Sequence, residues 1–303
     1  MLTPAQIAAT ANTIEAAQRP DGAIPYWPGG PIDPWNHVEA AMGLDVAGAH
    51  ERAASAYRWL AAQQNPDGSL GVESDTNFTA YLAVGVRHHA LCTGELDCWP
   101  AVVRAMDFVL TRQEPTGQCR WRDGPMALLA GCASIHLSLR AAELLADESR
   151  PDWAVASAKL SDAIRTRPDL FEPKPHSMDW YYPVLAGVVP AAHLDARWNE
   201  FVVPGLGVRC VSDQPWVTGG ETAELVLTLA THGRGTQAAE LFTCLDRLRT
   251  PDGAYWTGWQ YANRVHWPAE RTTWTAGAVL LANAALSGHR PTLDVFRSAT
   301  IGR

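Results

Sequence analysis

The sequence predicts an all-α fold, an (α/α)6 toroid in which six helical hairpins form an inner and an outer layer. Two features of the 303-residue chain predict it. A short turn motif recurs along the chain, and six apolar segments alternate with amphipathic ones. The length divided by six gives about 50 residues for each hairpin. We expect one domain spanning residues 1–303, because no Gly/Ser-rich linker interrupts the pattern.

The turn motif is Gln-x-Pro-Asp-Gly at 18–22 and 64–68, and altered copies follow at 113–117 and 249–253. Successive copies begin 46, 49 and 136 residues apart, and the last interval fits about three periods. Pro fixes φ, Asp bonds its own backbone and Gly accepts a positive φ, so each copy is expected to end a helix. The stretches before the turns, such as 53–63 and 102–113, have apolar residues at helical spacing and predict outer helices.

The second class of segment is rich in Ala, Gly, Leu and Val and has few charges beyond its first turn. Helices that are apolar on all sides are buried helices, so these segments predict the inner layer. A helical solenoid that closes into a ring leaves no exposed end. The sequence has no Val/Ile-rich alternating runs, and we expect no sheet of four or more strands. The inner segments are 36–44, 76–86, 126–139, 179–189, 221–229 and 272–286.

Composition and charge exclude several classes of partner. The chain has 24 Lys and Arg against 32 Asp and Glu, a net charge of -8, and no basic cluster, which argues against nucleic acid. No run of about 18 apolar residues predicts a membrane span. The first residues lack the pattern of a secretory leader, so we expect a cytoplasmic protein. The six cysteines form no Cys-x-x-Cys pair, and we expect them to be free thiols. The 13 Trp against 6 Phe indicate an aromatic-lined cleft.

The repeated Gln-x-x-Asp-Gly turns, followed by helices that begin Thr-Ala, resemble the prenyltransferase/squalene-oxidase repeat of terpenoid cyclases and protein prenyltransferase β-subunits. This resemblance implies an α/α toroid and an isoprenoid-type substrate. A more distant resemblance is to six-hairpin carbohydrate-active enzymes. Because the same architecture carries unrelated chemistries, the fold alone does not decide between them.

Polar and aromatic side chains are concentrated where the inner segments begin. In an α/α ring these starts surround the mouth of a central cavity, so we expect them to bind a small-molecule substrate. Each acid also has an alternative role as a helix cap, which satisfies free amides and the helix dipole. The predicted substrate-binding residues are His37, Glu39, Glu73, Asn77, Trp180, Tyr181, Arg209, Asp213, Trp216, Glu224, Trp256, Trp259, Glu270 and Trp274.

Asp75, Asp179 and Glu221 are the predicted catalytic residues, since each stands at an inner-segment start beside a side chain that can orient a carboxyl group. The stretch from Glu73 to Thr76 resembles the Asp-x-Asp-Asp-Thr motif with which terpenoid cyclases protonate an alkene. Here Glu replaces the first Asp, and the second of the adjacent acids is missing. Capping of the following helix is the alternative role for Asp75.

No metal or cofactor is expected. The sequence contains no Asp-Asp-x-x-Asp motif, no Gly-rich phosphate loop and no correctly spaced Asp/Cys/His zinc set, although Cys210, Asp213 and His266 offer the ligand types. The sequence therefore predicts an acid–base enzyme acting on an isoprenoid-type substrate. One alternative is a carbohydrate-active hydrolase, lyase or epimerase, and another is a non-catalytic toroid that binds a ligand or peptide.

Overall fold

The computed structural model describes residues 1–146 and 150–297, so residues 147–149 and 298–303 of the predicted domain lie outside it. The helices in the described residues are α1 Pro4–Ala17, α2 Pro34–Val46, α3 His50–Ala62, α4 Thr76–Thr93, α5 Trp99–Arg112, α6 Leu129–Glu143, α7 Pro151–Thr166, α8 Met178–Leu185, α9 Trp198–Phe201, α10 Gly219–Thr231, α11 Gly235–Phe242, α12 Thr273–Leu286 and α13 Arg290–Arg297. The strands are β1 Val202–Val203, β2 Gly207–Arg209, β3 Trp216–Thr218, β4 Gly258–Gln260 and β5 Val265–His266.

The even-numbered helices from α2 to α12 form an inner ring. Each contacts the next in chain order, and α12 packs against α2 to close the ring. Burial on nearly all sides explains why these helices have few charges after their first turn. The predicted (α/α)6 toroid is confirmed. None of the described helices is long and apolar enough to cross a membrane.

The outer layer is formed by α1, α3, α5, α7, α11 and a short helical stretch at 191–201 outside α8. The last described helix, α13, contacts α4, α10 and α12. His88, near the C-terminal end of α4, shares a 3.0 Å hydrogen bond with Thr292 of α13. This helix therefore covers the C-terminal end of the ring, and the N-terminal ends of the inner helices remain open.

The repeated turn motif ties each outer helix to the next. The Gln18 amide donates to the carbonyl of Gly22 at 3.0 Å and to the carbonyl of Arg52 in α3 at 2.9 Å. We call this pair of bonds the glutamine staple. It recurs at Gln64 with Gly68 and Ala101 of α5, and at Gln113 with Gly117 and Ala156 of α7.

The glycine of the motif is required by its surroundings. Gly68 has a φ of +90°, and a Cβ there would lie 2.3 Å from the carbonyl oxygen of Arg104. The fourth turn lacks the Gln, and a hydroxyl replaces its amide, since Thr10 of α1 donates to the carbonyl of Gly253 at 3.0 Å. The repeat thus joins successive outer helices through backbone atoms, and its role is structural.

The ring closes through a backbone-to-backbone contact between α2 and α12. A Cβ on Gly43 would lie 2.7 Å from the Cα of Gly277, and one on Gly277 would lie 2.5 Å from the carbonyl oxygen of Glu39. Only glycine at both positions permits this approach. Beside it, the Thr273 hydroxyl donates at 2.7 Å to the carbonyl of Pro25, 248 residues earlier in the chain.

The expectation that no sheet of four or more strands would occur is wrong. Five antiparallel strands form one small sheet in the order β1-β2-β3-β4-β5 beside α10. Each strand has only two or three residues. Such lengths are too short for the alternation of apolar and polar residues that identifies a strand in sequence.

Candidate active site

A cavity of about 450 Å³ opens at the N-terminal ends of the inner helices. Its lining includes four carboxyl groups: Asp33 before α2, Asp179 on α8, and Glu221 and Glu224 on α10. The rest of the lining is mainly aromatic or apolar and consists of Tyr26, Trp35, Asn36, Asn77, Phe78, Trp121, Leu128, Ala130, Gly131, Lys174, His176, Met178 and Trp274. The cavity therefore combines several groups able to transfer protons with broad apolar walls.

Trp35 provides one aromatic wall and is fixed in place by other rings. It stacks on the buried ring of Tyr81 with a centroid distance of 4.0 Å and an interplanar angle of 3°. Phe78 and Tyr182 pack against it at 6.1 and 5.5 Å. A ring held on several sides loses little conformational entropy when a ligand packs on its remaining surface.

Asp33 is the N-cap of α2 and receives three hydrogen bonds. The backbone and side-chain amides of Asn36 donate to its carboxylate at 2.8 and 2.6 Å, and the Tyr26 hydroxyl donates to Oδ2. Burial raises the pKa of Asp33, and the donors from Tyr26 and Asn36 oppose that rise. The carboxylate is therefore oriented by its neighbours and more basic than an exposed aspartate.

Glu221 lies in the first turn of α10, where two glycines precede it. A Cβ on Gly220 would lie 1.9 Å from the ring of Trp274, so glycine lets that indole reach the cavity wall. The Oε2 atom of Glu221 is buried without a hydrogen-bond partner among the described residues. Cys210 lies nearby, and burial together with the charge of Glu221 raises the pKa of its thiol. Glu221 therefore lines the cavity and has one buried oxygen that no described residue bonds.

Two further glutamates lie close to Glu221, one in the cavity lining and one behind it. Glu224 is 5% exposed and accepts a hydrogen bond from the Tyr181 hydroxyl, and Glu39 of α2 is 2% exposed. Burial raises the pKa of Glu224 to about 8. Burial, followed by the charges of Glu224 and Glu221, raises the pKa of Glu39 well above its ordinary value. Glu224 and Glu39 therefore hold their protons to higher pH than exposed glutamates do.

The raised pKa of Glu224 predicts a pH-dependent stability. Between its ordinary value of 4.5 and about 8, the folded state binds a proton that the unfolded state has lost, so the free energy of unfolding falls as pH rises. Glu224→Gln should remove this slope, and its stability advantage should grow from pH 4.5 to 8 and then level off. Denaturant unfolding across this range measures the effect.

The matched control for this prediction is Glu73→Gln, because the Glu73 side chain is 62% exposed. It should leave the pH slope of the wild type unchanged. Parallel stability curves for the wild type and Glu224→Gln would contradict the buried, protonated state of Glu224.

Asp179 lies on α8 and caps the neighbouring inner helix. Its Oδ1 accepts the backbone N–H of Ala130, in the first turn of α6, at 2.9 Å. Burial raises the pKa of Asp179, and the hydrogen bond from Ala130 opposes that rise. Asp179 therefore lines the cavity and also caps a helix terminus. The helix that it caps is α6 and not α8, on which it lies.

A curated relative identifies the family. The MMP endo-(1,4)-3-O-methyl-alpha-D-mannosidase of Mycolicibacterium hassiacum is 47% identical over 330 aligned positions, which cover 100% of this chain and 92% of the relative. The chain belongs to this mannosidase family. No family model matches the chain.

Solved structures support the same fold for this member of the mannosidase family. A wild-type glycosidase has a TM-score of 0.76 at 16% identity and covers 93% of this chain and 96% of its own. A D-mannose isomerase has a TM-score of 0.73 at 11% identity and covers 94% and 96%. An unsaturated glucuronyl hydrolase specific for heparin reaches 0.70 at 13% identity, with 94% and 96% covered. At these identities the likeness concerns the fold alone.

The prediction of a terpenoid-cyclase or prenyltransferase-like enzyme on an isoprenoid substrate is wrong, because the family is that of a mannosidase. The carbohydrate-active alternative is the one that the relative supports. The residues behind the wrong prediction have other roles. Asp75 lies outside the cavity lining, where Arg122 pairs with it and with the exposed Glu73. The Asp75 side chain makes no capping hydrogen bond to α4 either.

Of the predicted binding residues in this mannosidase-family chain, Asn77, Glu224 and Trp274 line the cavity, as do the predicted catalytic Asp179 and Glu221. Glu39 and Tyr181 lie behind the lining. The others, with Asp75, lie outside the lining: His37, Glu73, Trp180, Arg209, Asp213, Trp216, Trp256, Trp259 and Glu270.

Packing and the small sheet explain most of these outer positions. Trp180 is fully buried and stacks on Phe201 at 5.1 Å. Trp256 and Trp259 contact the ring of His266 at 4.9 and 5.0 Å. These aromatic rings stabilise the structure around α8 and the sheet rather than the cavity wall.

Polar partners outside the cavity engage two other predicted residues. Arg209 donates to the hydroxyl of Tyr261 at 3.0 Å and to the carbonyl of Glu200 at 2.6 Å. The Trp216 indole N–H donates to the carbonyl of Trp267 at 2.6 Å.

Asp213 and Glu270 also lie outside the cavity. Asp213 is exposed, and Glu270 is half-buried just before α12, where burial raises the pKa of its carboxyl.

Sequence reasoning missed Asp33, Tyr26, Trp35 and Asn36 as cavity residues. The predicted inner segment began at residue 36, two residues after the observed start of α2, so its N-cap was left in the preceding loop. An Asp-Pro pair before a buried helix is the signal that identifies this cap. Within residues 1–146 and 150–297, no group of three or more His, Cys, Asp and Glu side chains is arranged to hold a metal ion.

Proposed function

We propose that this protein is a glycoside hydrolase that cleaves α-(1,4) bonds within a polymer of 3-O-methylmannose. The observation that carries the proposal is a carboxyl-lined, aromatic cavity in a chain that belongs to the family of an endo-acting 3-O-methylmannosidase. Glycoside hydrolysis needs two carboxyl groups, one to protonate the leaving oxygen and one on the opposite face of the sugar.

Glu221 is the proposed general acid. Its Oε2 has no hydrogen-bond partner among the described residues, and the Cys210 thiol lies against the same carboxyl group. Glu224 in the same lining and Glu39 behind it are carboxyls with raised pKa values. This group of acids supplies a proton that Glu221 delivers to the glycosidic oxygen as the bond breaks.

Asp33 is the proposed general base. Donors from Tyr26 and Asn36 orient its carboxylate, and its raised pKa makes it a better proton acceptor than an exposed aspartate. It would take a proton from the water that attacks the anomeric carbon. The helices that carry Asp33 and Glu221, α2 and α10, are separated in the ring by α12, which favours a gap wide enough for that water and inversion at the anomeric carbon.

The cavity walls suit a methylated sugar. Trp35, Phe78, Trp121, Leu128 and Met178 present apolar surface on which O-methyl groups can be buried. The same lining also contains two amide side chains that can form hydrogen bonds with the hydroxyl groups of the sugar: Asn36 and Asn77.

The direct test compares two sets of α-(1,4)-linked mannose oligosaccharides, one 3-O-methylated and one unmethylated. New reducing ends and product sizes measure internal cleavage. We expect cleavage of the methylated set with about tenfold or greater preference in kcat/KM, the effect of burying methyl groups in an apolar site. Turnover of neither set would contradict the proposed function, and a preference for the unmethylated set would contradict the assignment of the apolar walls.

The non-catalytic alternative is not favoured, since the relative is named as an enzyme. A cytoplasmic location stays a prediction from sequence. The cysteines of the described residues are all free thiols, which fits a reducing compartment.

A further inference from the structure

A second groove, of about 280 Å³, adjoins the cavity at Asp33, which lines both. Its walls come from the loop before α2, the end of α3 and the loop before α4. We call it the Trp59 groove and define it by Ile32, Pro34, Trp59, Gln63, Asn65 and Val72. It lies at the same open end of the ring as the cavity.

Trp59 is a supported aromatic surface in this groove. The indole is half-buried, and its ring lies 5.0 Å from the ring of His37. His37 is fixed by the backbone N–H of Ile24 at 3.1 Å and by the carbonyl of Ala56 at 2.9 Å. Burial lowers the pKa of His37 to about 4, so the ring behind Trp59 is neutral.

The remaining walls combine apolar side chains with amides. Val72 is 99% exposed, which is unusual for a large apolar side chain. Gln63 is exposed, and Asn65 uses its side-chain N–H groups on Ser69 and on the backbone of Gly71, which leaves its oxygen available as an acceptor. Asp33 is the one ionisable side chain among the described residues that line this groove.

We propose that the Trp59 groove is a distal subsite that binds one 3-O-methylmannose unit of the same chain that is cleaved in the cavity. This inference rests on the proposed function, because an enzyme that cuts within a polymer must accommodate sugar units beyond the scissile bond. The indole stacks on the apolar face of the sugar, the exposed valine contacts its methyl group, and the two amides bond its hydroxyls. The absence of cations from the described lining disfavours an anionic ligand.

Another groove, beside Trp27, has a different lining. It is larger, about 340 Å³, but contains the ion pair between Arg271 and Asp252 and shares no lining residue with the cavity. Continuity through Asp33 therefore favours the Trp59 groove as the path of the substrate.

The experiment measures Trp59→Ala and Trp59→Phe on 3-O-methylmannose oligosaccharides of graded length. We expect Trp59→Ala to lower kcat/KM about tenfold on long oligosaccharides and to leave it unchanged on the shortest one that is cleaved, with a smaller loss for Trp59→Phe. Trp99→Ala is the matched control, since Trp99 is also half-buried and lies on α5 against Trp153. Melting temperatures identify a variant that fails to fold.

Calorimetric titration with the longest oligosaccharide separates this inference from the proposed function. If the wild type binds it without cleavage and Trp59→Ala weakens binding about tenfold, the proposed subsite is supported and the proposed hydrolase activity is contradicted. If the wild type cleaves it but Trp59→Ala and Trp59→Phe change neither binding nor the length dependence, or lower activity equally at all lengths, the groove is overturned. A wild type that neither binds nor cleaves overturns both.

Discussion

Glu221→Gln is expected to lower kcat on 3-O-methylmannose oligosaccharides about 10²–10⁴-fold, the range for a lost general acid. The amide keeps the size of the side chain but cannot give a proton to the leaving oxygen. Glu221 Oε2 has no hydrogen-bond partner among the described residues, so the substitution removes none there and should leave the melting temperature nearly unchanged. Steady-state kinetics and thermal unfolding measure the two effects.

A glycosyl fluoride of 3-O-methylmannose is the control for this role, because fluoride departs without protonation. Glu221→Gln should hydrolyse the fluoride within about tenfold of the wild type. An equal loss on the fluoride and on the oligosaccharide would show that Glu221 does not act as the acid.

Asp33→Asn is expected to lower kcat about 10²–10⁴-fold on both substrates, because the attacking water loses its base in either reaction. Asn is as good an N-cap as Asp, because its oxygen can accept from the backbone N–H of Asn36, and its NH2 group can donate to the Tyr26 hydroxyl oxygen, so stability should change little. Kinetics on the fluoride therefore distinguish Asp33 from Glu221.

Asp179→Asn is the comparison variant, since Asp179 lines the same cavity and also caps α6 through Ala130. We expect little loss of stability, because the side-chain oxygen of Asn can accept the same N–H, and a smaller effect on kcat than for Asp33→Asn. The reverse order of the two losses in kcat would transfer the role of base to Asp179.

The fold could be predicted from sequence because its determinants are local and repeated. A Gln, a turn and a Gly recur with each of the first hairpins, and the glutamine staple uses them to bond backbone atoms of the next outer helix. Such bonds do not depend on the side chains inside the ring. The same motif therefore identifies the architecture and carries no information about the reaction.

The candidate site was only partly predictable for a related reason. Asp179 and Glu221 stand in inner-helix starts that periodicity can find, and both line the cavity. Asp75 occupies an equivalent position, but Arg122, 47 residues later, pairs with it. The pairing of Asp75 depends on a distant chain segment and leaves no periodic signal. Asp33 has partners close in sequence, Tyr26 and Asn36, but it precedes the first helical residue and so lies outside the apolar periodicity.

The glycine contact between α2 and α12 has a consequence for folding kinetics. It joins segments that the chain brings together only after closing a loop of more than 200 residues, as the bond from Thr273 to Pro25 spans 248. Pairings this remote in sequence must overcome loop-closure entropy first, and they form late. Because Asp33 and Glu221 lie on the two helices that flank α12, activity should return during refolding only with this last step, well after helical structure has formed.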